Sequence, residues 1–152
     1  ERHDGRRLQP FEGGIEQVDL ALLGLVAWAL LLIVLLVNQR GLLVLSGKMA
    51  VNAFNPDGSN TPSNFGQRLV RTHANCLENL PLQAALLLYA MASAQTDITE
   101  PLALLLLGAR LFQSLMHLIS TSPLFVWLRF AAFFVQLAIL AWWLLQFAGL
   151  AG

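Results

Sequence analysis

Charge is scarce in this chain, and cysteine nearly absent. Only 12% of the 152 residues are charged, against about 25% in an ordinary soluble domain. Nine basic residues balance nine acidic ones, so no surplus of positive charge points to nucleic acid. Cys76 is the only cysteine, which excludes an intrachain disulfide. His73 lies three residues before it, and two ligands are too few for a metal site, so no metal is expected. Cys76 itself reads as a small buried apolar residue. There is no internal repeat and no low-complexity linker. No pair of broken helices or ring of charges suggests a channel or transporter.

Apolar residues take the place of charge. They make up 57% of the chain, and its mean hydropathy is +0.63. By length this is one domain. Four apolar stretches stand out: Leu20 to Val37, a segment amphipathic from Phe65 and apolar after Pro81, Pro101 to Ser120, and Leu124 to Ala148. The first is longer than a signal-peptide core and no small-residue cleavage site follows it. All four are expected to be transmembrane helices.

The connections set the topology. Asn38 to Asn64 is a long polar loop holding an Asn55-Pro56-Asp57-Gly58 turn, with Ser63 or Asn64 expected to cap the second helix. Gln95 to Glu100 is short, with Pro101 suited to a first helical turn. Ser120 to Pro123 is a tight turn. Short turns imply antiparallel neighbours, hence an all-α, up-down four-helix bundle over residues 17–150, preceded by a polar segment over 1–16. Trp142 and Trp143 read as an interfacial belt. Gly24, Ala27, Ala84, Gly108, Ala131 and Ala132 read as close-packing positions. The distribution of arginine and lysine slightly favours a cytoplasmic long loop.

Two polar stripes run through this apolar frame. Arg68, Arg71, Asn75 and Glu78 share one face of the second helix, and Arg110, Gln113, Ser114 and His117 one face of the third. A charge near the centre of a helix in lipid costs roughly 2.5–3.5 kcal/mol. The stripes are therefore expected to face each other, or a neighbouring subunit, around a polar cavity. Hydrogen bonds that merely join helices are the plainer alternative. Glu78 is the lone internal acid, with Arg71 and Arg110 as candidate partners. The remaining positive charge suits an anionic, peptide-like ligand. His73 falls off the stripe and reads as an interfacial or intersubunit hydrogen-bonder.

The run Arg71-x-x-x-Asn75-Cys76-x-Glu78, with Pro81 after it and Gly108-Ala109-Arg110 downstream, resembles the signature of the MAPEG superfamily. These are the membrane-associated proteins of eicosanoid and glutathione metabolism, and the resemblance to a bacterial branch covers Asp19 to Ala148. It implies a homotrimer in a bacterial inner membrane, with glutathione as co-substrate between subunits. Arg71, Asn75, Glu78 and Arg110 would hold the tripeptide, joined by Gln113 and His117, and Arg129 would be the catalytic arginine that stabilises the thiolate. Electrophilic lipids or hydroperoxides would arrive from the bilayer. The chain departs from the family pattern in having His117 where several members have tyrosine and Ala74 where some have arginine. Its Arg129 also lies a few residues later than the usual catalytic arginine. These departures keep a second reading open, a non-catalytic lipid-binding or scaffold protein, or a subunit of a larger membrane complex.

Overall fold

A computed structural model of the chain describes residues 16–150 and contains four helices, α1 (Gln17–Leu45), α2 (Asn64–Ala92), α3 (Thr96–Ile119) and α4 (Pro123–Phe147). The polar segment before Glu16, with Arg2, Arg6 and Arg7, which weigh against the loop's positive charges for orientation, lies outside the described residues. Helices α1, α3 and α4 are long and apolar enough to cross a membrane. Helix α2 has the length, 29 residues, or about 43 Å at 1.5 Å per residue. It falls short on composition because Gln67, Arg68, Arg71, Asn75, Glu78 and Asn79 crowd its first half. Three apolar spans therefore replace the four expected.

Two helix ends differ from expectation. Helix α1 runs through Asn38, Gln39 and Arg40 to Leu45. It stops where Gly47 takes a φ of 69° and Lys48 N–H donates back to the Leu43 carbonyl at 3.0 Å, a glycine-based helix stop. Helix α3 starts at Thr96 rather than Pro101. Asp97 and Glu100 favour its first turns through the helix dipole, and Pro101 forfeits one backbone bond inside the helix. Glu100 also accepts the Gln17 N–H at 2.9 Å, capping α1 from a neighbouring element. For α2 the cap is Ser63, whose Oγ accepts the Gly66 N–H at 3.0 Å.

Packing centres on α3, which touches the other three helices, whereas α1 and α4 do not meet. One apolar core joins Val18, Leu25, Leu87, Leu106, Ile139 and Trp143. A second holds Ala29, Leu32, Leu36, Leu69, Val70 and Cys76. Trp143 is fully buried, so only Trp142, 47% exposed, is free to sit in an interfacial belt. Trp143 follows Ile139 by one helical turn and shares its inward face. Of the small residues, Gly24 presses on Leu107 and Ala132 is buried. Gly108 has open space around it, and Ala27 and Ala131 are exposed. Large apolar side chains such as Leu23 and Phe134 stand more than 60% exposed, the outward face of a protein whose solvent is lipid.

Candidate functional site

The polar stripes meet between α2, α3 and α4, at the end where the α3–α4 turn lies. A cavity of about 460 Å³ opens there, lined by Arg71, Asn75, Gln113, His117, Thr121, Arg129, Phe130 and Phe133. That volume lies within the usual range for small-molecule sites. Five of the seven sequence-chosen residues line it: Arg71, Asn75, Gln113, His117 and Arg129. Two guanidinium groups and two amides converge with no carboxylate among the lining residues, an arrangement suited to an anion.

Arg110 is not at the cavity wall. It is completely buried behind it, where Nη1 donates to Asn75 Oδ1 at 3.2 Å and to Gln113 Oε1 at 3.0 Å, and Nη2 donates to the Asn75 carbonyl. Its Nε has no partner among the described residues. Glu78 is exposed on α2 and does not line the cavity. The guanidinium of Arg110 thus engages amide and carbonyl oxygens rather than the stripe's carboxylate. Arg68, the other stripe arginine, donates through Nε to the Leu118 carbonyl at 2.8 Å. There it satisfies the C-terminus of α3, where a cation is favourable.

Two residues of the polar layer were not singled out in the sequence. Gln83 Nε2 donates to Gln136 Oε1 at 2.9 Å, and Gln136 Nε2 donates to Gln113 Oε1 at 2.9 Å and to the Ala132 carbonyl at 3.0 Å. Both glutamines are about 1% exposed. The signal was present: Gln83 lies eight residues after Asn75 and so continues its face of α2. Gln136 lies one heptad after Arg129.

A second hollow of about 470 Å³ borders the first along α4, lined by Thr121, Pro123, Val126, Trp127, Phe130 and Phe134. Thr121 and Phe130 belong to both, so a basic cavity and an aromatic groove share a wall. His73 and Cys76 lie outside both hollows. Cys76 is buried in the second core, and His73 Nε2 is buried with no partner among the described residues.

The MAPEG family model matches residues 19–149. This chain belongs to the MAPEG family. No curated protein and no solved structure matches it significantly. Family membership and three apolar helices together identify a membrane protein whose family is glutathione-transferase-like. The stripe residues that carried the resemblance, Arg71, Asn75, Glu78 and Arg110, all lie within the matched span.

Proposed function

We propose that the protein is a membrane glutathione transferase or peroxidase that acts on hydrophobic electrophiles. The observation that carries this reading is the shared wall between the basic cavity and the aromatic groove. A tripeptide with two carboxylates needs the first, and an apolar electrophile arriving through lipid needs the second. Arg71, Asn75, Gln113 and His117 bind the peptide, while Arg110 acts from behind through Asn75 and Gln113. Glu78, seven residues after Arg71, is free to meet the peptide of a neighbouring copy in a homotrimer. In such an assembly α2 is the fourth span, with its exposed Arg71 and Glu78 sheltered between chains. The membrane is a bacterial inner membrane with the α1–α2 loop on the cytoplasmic side.

Arg129 is the catalytic residue in this reading. A free thiol has a pKa near 8.5, and lowering it by two units takes about 2.7 kcal/mol of preference for the anion. A guanidinium in a poorly hydrated cavity supplies an interaction of that size. The thiol proton leaves to water, and the thiolate's electron pair forms a carbon–sulfur bond as the electrophile's leaving group departs with its own pair, or as an activated double bond opens and its carbanion takes a proton from water. With a hydroperoxide, the thiolate attacks the terminal oxygen, the O–O bond breaks, the alkoxide takes a proton from water to leave as the alcohol, and the sulfur is left as a sulfenic acid. A second glutathione then yields the disulfide and water.

Glutathione should stabilise the purified protein against heat by about 2.7 kcal/mol at a hundredfold excess over Kd. Arg71→Ala should abolish the shift, and its absence at millimolar glutathione in the parent protein would sink the proposal. An ultraviolet thiolate band in the bound state, lost in Arg129→Ala, tests the catalytic assignment. A second reading, a non-catalytic lipid-binding or scaffold protein, is favoured by the exposure of Glu78 away from the cavity. It requires glutathione binding without a thiolate band, or lipid binding without glutathione.

A further inference from the structure

An amide lining a cavity offers it a donor or an acceptor, depending on which end faces inward. For Asn75 and Gln113 the neighbours decide. Arg110 has only N–H donors and no acceptor. It donates to Asn75 Oδ1 and Gln113 Oε1, so both oxygens turn toward it and away from the cavity. Gln113 is fixed a second time from α4. Gln136 Nε2 donates to the Ala132 carbonyl, a group that can only accept. That pins the Gln136 NH2 group where it also donates to Gln113 Oε1, and leaves Gln136 Oε1 to accept from Gln83 Nε2. The chain of bonds has one direction, anchored by a cation at one side and a backbone carbonyl at the other.

We infer that Gln136, which does not line the cavity, is a positioning residue. Together with Arg110 it holds the NH2 groups of Gln113 and Asn75 toward the cavity, so that the site selects ligands bearing carboxylates over their neutral esters. The fixed polar groups of the wall, Arg71, Arg129, Asn75 and Gln113, are then all donors. Thr121 and His117 alone among the polar lining residues can turn to either role. A carboxylate, which only accepts, meets its complement, while an ester loses both charge and acceptor strength. The selectivity part rests on the cavity being the glutathione site. The orientation of the amides does not.

The test uses the full chain in nanodiscs with 15N-labelled side-chain amides. Water exchange should be fast for the NH2 protons of Gln113 and Asn75 and slow for those of Gln136 and Gln83. A protected Gln113 NH2 overturns the inference. The parent protein should bind glutathione at least tenfold more tightly than its diethyl ester. Gln136→Glu sets an acceptor against Gln113 Oε1, and the nearby Arg110 cation favours its ionised form. The Gln113 amide should turn over, its NH2 become protected, and the acid-to-ester ratio fall about tenfold. Gln136→Met, which removes a donor without opposing the amide, should lower the ratio only a few-fold. A purely structural role would weaken both ligands alike, and an unchanged ratio in folded Gln136→Glu overturns the proposal. If that variant does not fold, exchange in the parent protein decides the orientation. If neither ligand binds the parent protein, the glutathione reading falls, and exchange still decides whether Gln113 is held as inferred.

Discussion

Arg110 on α3 grips Asn75 on α2 twice, once at the side-chain oxygen and once at the backbone carbonyl. A completely buried guanidinium that meets oxygens but no carboxylate carries two opposing terms. Desolvation of the charge is costly, and each hydrogen bond to a charged group returns about 1.5–3 kcal/mol. Arg110→Met removes both terms, so thermal stability should change little. Glutathione affinity should nevertheless fall about tenfold, or about 1.4 kcal/mol, because Asn75 and Gln113 lose the group that orients them. Melting curves and calorimetric titration on the same sample separate the two effects. Unchanged affinity would show that Arg110 does not act through its neighbours.

Glu100 caps α1 across a long sequence separation. Its Oε1 takes the Gln17 N–H, one of the donors a helix start leaves without an intrahelical partner. Replacing such a cap with alanine costs about 1 kcal/mol. Glu100→Ala should lower stability by that amount and raise amide exchange at Gln17 to Leu20, with no effect on ligand binding at the far end of the bundle. Exchange measured by mass spectrometry reads the first effect and titration the second. Loss of ligand binding would count against the separation of cap and site.

Two glycines predict opposite tolerance. A Cβ at Gly66 would collide with Gln39 Nε2 and also with Thr61 Cγ2, the methyl of a short, branched side chain. Gly66→Ala should destabilise by about 1–3 kcal/mol, the usual cost of overpacking. At Gly24 the obstacle is one flexible end, Leu107 Cδ2 at 2.7 Å. A rotamer change of Leu107 relieves it, and alanine gains helix propensity of up to about 1 kcal/mol. Gly24→Ala should therefore be near neutral. Chemical denaturation of both variants in the same detergent tests the contrast, and equal losses would refute it.

The helices and most of the cavity could be read from spacing alone. Arg71 and Asn75 on one face, with Gln113 and His117 on another, come from the 3.6-residue period, and the structure does bring them together. Helix ends could not be read from hydropathy, because polarity at Asn38 to Arg40 marks where apolar side chains stop, not where the backbone turns. The roles of Gln83 and Gln136 were hidden for another reason. Each is an amide set alone within an apolar stretch of its helix, and its partner depends on the relative register of two helices, which one sequence does not encode in any local pattern. Arg110 shows the same limit. Its face was legible, but its depth behind Asn75 and Gln113 was not.

Asp57 gives the α1–α2 loop a defined dependence on acid. Its carboxylate accepts the Ser59 N–H at 3.0 Å, and that bond, with smaller help from Arg71, holds its pKa below the ordinary 3.8. The bond steadies the turn that sets Gly58, at a φ of 72°, against Val70. A carboxyl whose folded pKa is depressed contributes stability that is complete above the unfolded value. The contribution fades as pH falls below 3.8 through the lower folded value. Carbon-detected titration of Asp57 should give a midpoint below 3.8, and proteolysis within residues 53–61 by an acid-active protease should rise on the low side of it. Asp57→Asn should flatten that rise, since its side chain no longer titrates. A midpoint at or above the ordinary value would mean that the Ser59 bond does not hold the turn in solution.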